Sequence, residues 1–318
     1  MSLEKYRSIS KVARPLLASA NATFASAWEE IRRRLAFLRS AVRELGSLKA
    51  QKRAFGVRLP VVLYHNIAPA DSAATEPSLT LSPQQFEKQI RWLAKRGYSG
   101  IRPSEWLAWC RTGLALPEKP ILITFDDAYS EVAKHALPVL YRYGFGAAVF
   151  VVTSQIGGMN VWERTTMGRL GADRLMTAKQ IFEWASKGIE FGAHSRTHPD
   201  LTTLSERQLA EEIEGSSQDL EAVVGTRIIS FAYPYGPYNE SVTAHTRSCF
   251  DLAFTCDEGL NYPETDICCL RRSMIQPGDL LIDFACRVWF GWSPLTSIRS
   301  RLRIRSRFKY LVAWRFEG

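Results

Sequence analysis

The stretch I-L-I-T-F-D-D, Ile121 to Asp127, sets a run of apolar and β-branched residues directly against two adjacent carboxylates. The run has the length and composition of a buried strand, and two acids cannot continue it through a core, so the strand must end where Asp126 begins. Two further stretches share this build: I-E-F-G-A (Ile189–Ala193) runs into His194, and I-I-S-F-A (Ile228–Ala232) runs into Tyr233-Pro234-Tyr235-Gly236. Outward from these, Val61–Tyr64, Ala147–Val152, Leu252–Thr255 and Ile267–Leu270 also read as strands. Helical patterns separate them at Ser82–Arg96, opened by Ser82-Pro83, and at Glu131–Tyr143, Thr177–Lys187, Ser205–Val223 and Glu240–Ser248. Regular alternation of strand and helix predicts an α/β fold with a parallel sheet, and the number of units favours a closed or nearly closed barrel over an open doubly wound sheet. In such a barrel the carboxyl ends of the strands open on one face, so the three polar clusters converge on one mouth.

Charge divides the chain differently. Residues 1–58 carry 13 basic against 4 acidic side chains, a net of +9, and residues 287–318 carry 8 against 1, a net of +7. The body between them is acidic, at −7. A core face that reads nucleic acid is excluded by that sign, and basic arms on an otherwise ordinary enzyme are indicated. Residues 25–52 repeat apolar positions at three- and four-residue steps among arginines, a basic amphipathic helix suited to packing, pairing with a second copy, or an anionic membrane surface. The tail alternates arginine from Arg299 to Arg307 among aromatic residues, as an interfacial anchor does. The expected organisation is therefore a basic helical extension over 1–56, a catalytic domain over 57–286 and a basic aromatic tail over 287–318. The six cysteines form no C-x-x-C pair, and the amino-terminal apolar run lacks the Leu-rich core of a secretory signal; both favour a cytoplasmic protein, and the basic ends suggest that it is peripheral on the inner membrane. No Gly-x-Gly-x-x-Gly or Walker-type loop follows any strand, which leaves dinucleotide or nucleoside-triphosphate binding without support.

The chemistry lies at the strand ends. His194 and His198 are four apart, and Pro199 biases His198 away from helical geometry, so the pair belongs to a turn leaving a strand. Two imidazoles and one carboxylate from a second strand, Asp127, suit zinc, or another borderline divalent ion such as cobalt or nickel, and leave positions open for water and substrate. Asp126 beside them has the chemistry of a general base.

At these residues the sequence resembles the polysaccharide deacetylase family, which shares the NodB homology domain and is akin to carbohydrate esterase family 4. The resemblance covers Leu59 to Ile275 and is carried by T-F-D-D (Thr124–Asp127), H-S-R-T-H (His194–His198) and F-A-Y-P-Y-G (Phe231–Gly236). V-V-L-Y-H-N-I (Val61–Ile67) and the stretch from Leu81 to Tyr98 look like the entry to the same domain. The resemblance implies a distorted barrel of about seven β/α units, Asp126 as base, and Asp127, His194 and His198 as metal ligands. It also implies attack of metal-bound water on the N-acetyl group of an N-acetylhexosamine, with the backbone N–H of Tyr235 on the developing oxyanion. The sequence departs from the family pattern at three places. Ala128 stands where the family has glycine, Ala232 where it has the arginine that pairs with the base, and L-R-R (Leu270–Arg272) lacks the histidine that serves as acid. Arg272 is the candidate replacement for the arginine, and His65, ending the first strand, for the acid or a substrate contact. His135 and His245 fall on helices and read as surface residues.

The expected substrate is an N-acetylated polysaccharide, oligosaccharide or glycolipid, with Trp162, Tyr233 and Tyr235 available to stack on sugar rings. The alternatives are a deformylase or deacylase of a lipid-linked amino sugar, and a non-catalytic glycan-binding or scaffold relative.

Overall fold

A computed structural model describes residues 57–69, 77–162 and 173–293. The basic helix expected over 25–52 and the arginine-alternating tail lie outside the described residues. The central feature is a parallel sheet in which β1 (Val61–Tyr64), β5 (Pro120–Phe125), β6 (Ala148–Val151), β7 (Glu190–Ala193), β8 (Ser230–Ala232) and β9 (Leu252–Phe254) follow one another side by side. β4 (Ser99–Ile101) borders the first half of β5, on the edge where β6 borders the second half, and β10 (Ser273–Met274) closes onto β1. Leu270 bridges Phe254 in parallel, so the short segment 270–274 touches both ends of the sheet and nearly completes a barrel. The small pair β2 (Asn66–Ile67) and β3 (Thr80–Leu81) lies beside it.

Strand alternation sorts the core into two clusters. On β5, Ile121, Ile123 and Phe125 pack into the large outer cluster with Phe86, Ile90 and Leu93 of α1 (Pro83–Lys95) and with Leu137 and Leu140 of the helix that follows β5. Leu122 points the other way, into the inner cluster with Val61, Phe150, Phe254 and Leu270. Thr124 and Asp126 continue that inner parity, and this parity brings Asp126 over the barrel interior. The outer helices are capped as their sequences demand: Ser82 accepts from the Gln85 amide, and Asn239 does the same for Val242 at the start of α7 (Glu240–Cys249).

Three expectations are corrected. The helix expected over Glu131–Tyr143 is two helices, α3 (Ser130–His135) and α4 (Leu137–Tyr143). Pro138 supplies no N–H, and its ring excludes the preceding turn, so the chain restarts there. Ile267–Leu270 is not a strand: the Asp266 side chain accepts from the Cys268 amide and its carbonyl from the Cys269 amide, curling the segment into a turn. The strand at this edge is β10, three residues on. The boundary expected after residue 286 falls inside α8 (Leu281–Phe290), whose Phe284, Ala285 and Val288 are buried in the outer cluster. The remaining helices, α2 (Pro103–Thr112), α5 (Ala178–Ala185) and α6 (Glu206–Val224), complete the outer layer. Among the described residues no helix is long and apolar enough to cross a membrane.

Candidate active site

Each of the three polar clusters begins where the strand ladder makes its last bond. The Asp126 amide donates to the Tyr64 carbonyl, the His194 amide to Val151 and the Tyr233 amide to Phe254. Beyond that point the chain turns sharply. Among the described residues the non-glycine positions with left-handed φ are Asp127, Ala128, Ser195, His198 and Tyr235, all in these three turns. Left-handed backbone is costly for residues with a Cβ, roughly 1–3 kcal/mol each, and such strain collects where surrounding structure over-determines it. It also accounts for the glycine of the family pattern at position 128: Ala128 sits at φ 54°, a conformation glycine adopts freely. The aspartate turn is held by the segment after the 163–172 region, where the Ala128 carbonyl accepts from Met176 and the Ser130 amide donates to Arg174.

Asp127, His194 and His198 come together, all buried, with one ligand atom from each within 4.8 Å of the others. The two Nε2 atoms are 3.2 Å apart, and Asp127 Oδ1 lies 3.7 Å from His194 Nε2 and 3.5 Å from His198 Nε2. Ligands on a tetrahedral ion at bond lengths of about 2.0–2.1 Å are separated by about 3.3 Å, so the three atoms occupy three corners of such a polyhedron. His194 Nδ1 lies 2.7 Å from the Ala232 carbonyl, which can only accept, so Nδ1 carries the proton and Nε2 offers its lone pair. Burial holds both imidazoles below the ordinary histidine range, hence neutral and able to ligate at neutral pH. His198 Nδ1 is buried without a hydrogen-bond partner, so packing orients that ring: Trp162 stacks on it at 5.0 Å, and Tyr235 meets it edge to face at 4.4 Å. The donor set and spacing fit a divalent ion.

Asp126 lies beside this set, its Oδ2 3.9 Å from His194 Nε2. Arg272, from the segment leading into β10, reaches it through two parallel bonds, Nη1 to Oδ1 at 2.7 Å and Nη2 to Oδ2 at 2.8 Å. Its Nε donates to the Thr255 carbonyl at 2.8 Å, and its guanidinium stands 5.6 and 5.9 Å from the rings of Phe150 and Phe254. The arginine is fully buried, standing on the inner cluster. Burial alone would raise the Asp126 carboxyl, but Arg272, with His194 and His65 adding, brings it down to about 2. Asp126 is therefore a carboxylate throughout the physiological range. The half-buried His65 feels the same group: burial pushes its imidazole down to about 4 against the opposing pull of Asp126.

Tyr235 is 56% exposed at the rim, whereas Tyr233 is fully buried and donates from its hydroxyl to the Cys268 carbonyl, which removes it from the expected sugar-stacking residues. Its parity explains this, since Phe231 and Tyr233 both point into the outer cluster. His135 pairs with Glu131 and His245 with Glu206, both away from the site. Phe150 and Phe254 escaped notice in the sequence as neighbours of Arg272, because nothing in a strand's composition tells which charged residue will cap its inner face.

The comparisons with known proteins converge. The family model described as polysaccharide deacetylase matches residues 114–249. YxkH of Bacillus subtilis (strain 168), provisionally named a polysaccharide deacetylase, is 27% identical over 73% of this chain and 75% of its own length. The poly-beta-1,6-N-acetyl-D-glucosamine N-deacetylase of Staphylococcus epidermidis is 26% identical over 59% of this chain and 65% of its own. Among solved structures, Streptococcus pyogenes deacetylase PplD in complex with acetate superposes with a TM-score of 0.61 at 26% identity, covering 72% of this chain and 97% of that one. IcaB from Ammonifex degensii shares the fold, with a TM-score of 0.61 at 24% identity, covering 74% of this chain and 96% of that one. By its motifs, its barrel and these matches the chain is similar to the polysaccharide deacetylases, with the family model matched over residues 114–249.

Proposed function

We propose that this protein is a metal-dependent N-deacetylase that hydrolyses the N-acetyl group of N-acetylhexosamine units in a glycan. The observation that carries this reading is the meeting, at one barrel mouth, of a His₂-carboxylate ligand set with a second, arginine-paired carboxylate. Asp127, His194 and His198 would hold the divalent ion, zinc by donor type, with cobalt or nickel also fitting the set. That ion supplies Lewis-acid polarisation of the acetamide carbonyl and acidifies water.

The chain's own groups have separate tasks. Asp126 takes the proton of the attacking water, and its pairing with Arg272 keeps it ionised and fixes both oxygens. The backbone N–H of Tyr235 meets the charge that develops on the carbonyl oxygen. His65 delivers a proton to the departing sugar nitrogen. Because its imidazole is held near 4 and enters the cycle neutral, the proton it delivers is the one Asp126 has taken from the water, so that both groups end the cycle as they began it. Trp162 and Tyr235 flank the ligand histidine and give a sugar ring apolar surface to lie on. The name of the Staphylococcus epidermidis relative favours a poly-N-acetylglucosamine substrate. The absent motif arginine and acid favour a non-catalytic reading, and the Arg272–Asp126 pair argues against the first of these grounds.

The charge of the two ends, +9 and +7 on an acidic body, supports attachment to an anionic membrane surface and, with it, a lipid-linked amino sugar as the second substrate reading. Acetate release decides between them. Purified protein, stripped of metal and reconstituted with zinc, is given N-acetylglucosamine oligomers or a lipid-linked N-acetylhexosamine, alongside Asp126→Asn. Zinc-dependent acetate from the oligomers, absent in the variant, is the expected result. Release from the lipid-linked substrate alone would favour the second reading, and release from neither would refute the deacetylase assignment.

A further inference from the structure

We propose that one stripe of α6, formed by Glu212, Gly215 and Asp219, is the positioning element that holds the turn Ser195–His198 in its metal-binding shape. This rests on the reading of Asp127, His194 and His198 as metal ligands. Residues 215 and 219 lie three and seven positions beyond 212, so all three share one helix face. The neighbouring Glu211 and Glu214 are exposed to solvent; Glu212 is turned to the histidine turn instead. Its Oε2 accepts the backbone N–H of both Arg196 and Thr197 at 2.9 Å, and its Oε1 accepts the Thr197 hydroxyl at 2.6 Å. Asp219 is engaged by Arg196 in a two-point contact, Nε at 2.8 Å and Nη2 at 3.1 Å, and also accepts the Thr153 hydroxyl at 2.9 Å.

Gly215 is what lets that contact form. A Cβ built there would lie 2.6 Å from Arg196 Cδ and 3.0 Å from its Nε, so the arginine crosses the helix through the space the missing side chain leaves. From the other side, the Ser195 and Arg196 carbonyls accept the Thr153 and Ser154 amides at 3.2 and 3.0 Å, and the Ser195 hydroxyl accepts the His198 amide at 2.9 Å. Ser195 and His198 both have left-handed φ, near 61° and 63°. A turn with that backbone at both ends needs outside contacts to stay in one conformation. The outside side-chain hydrogen bonds to Arg196 and Thr197 come from the α6 stripe, which belongs to none of the three strand-end motifs. Glu212 and Asp219 touch neither ion nor substrate; they act through the placement of His194 and His198.

The test is metal affinity, read with zinc and with cobalt by competition against a chromophoric chelator, beside thermal melting of the metal-free proteins. Glu212→Ala is expected to bind roughly 10–100-fold more weakly than wild type, the range found when a hydrogen-bonding support of a ligand is removed. Glu212→Gln, whose amide oxygen still accepts both backbone N–H groups, recovers most of the affinity. Gly215→Ala separates positioning from stability: alanine favours the helix while displacing Arg196, so affinity falls several-fold with melting unchanged or higher. Wild-type binding with Glu212→Ala and Gly215→Ala both folded and within twofold of it would overturn the proposal. Should Glu212→Ala not fold, Glu212→Gln and Gly215→Ala decide the matter on the same criterion. A wild-type protein that binds neither metal would sink the ligand assignment itself, and the positioning role with it.

Discussion

Replacing Arg272 by methionine takes away the guanidinium that faces the buried Asp126 carboxylate and leaves the Thr255 carbonyl without its donor. The loss follows from the contacts. Two charge-assisted hydrogen bonds, at 2.7 and 2.8 Å, contribute about 1.5–3 kcal/mol each. Breaking one side of a buried ion pair costs about 3–5 kcal/mol by independent measure, in the same range. For a domain of this size each kcal/mol moves the melting temperature by about 2–4 °C, so Arg272→Met should melt roughly 6–20 °C below wild type at neutral pH. Asp126→Asn in the same protein removes the uncompensated charge and should return at least half of that loss, giving a strong coupling in a double-mutant cycle. The sign with pH is also fixed. In wild type the folded carboxyl, at about 2, lies below the ordinary value of 3.8, so its stabilisation is complete above 3.8 and is lost as pH falls through 2. In Arg272→Met the largest influence opposing burial is gone and that carboxyl rises from its wild-type position, so the variant's gap from wild type widens from acid to neutral pH. Calorimetry of the four metal-free proteins across that range reads all of this. A single variant within 1 kcal/mol of wild type, or a double variant as unstable as the sum of the singles, would refute the reasoning.

Two further predictions concern other parts of the site. A Cβ at Gly192 would lie 2.5 Å from both Phe150 Cε1 and Ser230 Oγ, so Gly192→Ala should cost about 1–3 kcal/mol in urea unfolding, and an unchanged midpoint would contradict the packing described for β7. His65 is held near 4 in the folded chain against 6.5 when unfolded, so the unfolded state binds the extra proton between those values and wild-type stability falls as pH drops from 6.5 towards 4. His65→Gln should flatten that slope in the metal-free protein, and parallel profiles for the two proteins would remove His65 from the buried site.

Much of the architecture was readable because strand ends announce themselves: an apolar run that stops at carboxylates, imidazoles or a Tyr-Pro-Tyr-Gly turn has few other interpretations. The parallel sheet and the convergence of Asp126, Asp127, His194 and His198 followed from that pattern alone. Parity within a strand was equally readable for β8, and applying it to Phe231 and Tyr233 would have placed Tyr233 in the core. The apolar Ile267–Leu270 misled because its conformation is set by Asp266, one residue outside the run, whose side chain closes a turn. α8 escaped because its buried Asp283 and Arg287 break the apolar stripe that marks a helix in sequence. Asp283 accepts the Ser293 hydroxyl, and Arg287 pairs with Asp279 and Glu258, partners that sequence spacing does not reveal. Glu212 was legible as a helical acid among several; only the rotation of α6 against the histidine turn distinguishes it from Glu211 and Glu214.

The most direct test of metal-dependent deacetylation is a titration of metal-free protein with zinc while acetate release from N-acetylglucosamine oligomers is followed. The predicted result is activity that rises in proportion to bound ion, levels at one ion per chain, and is lost at equal zinc concentration in His198→Ala. Acetate release that is independent of added metal, or that survives intact in His198→Ala, would contradict it.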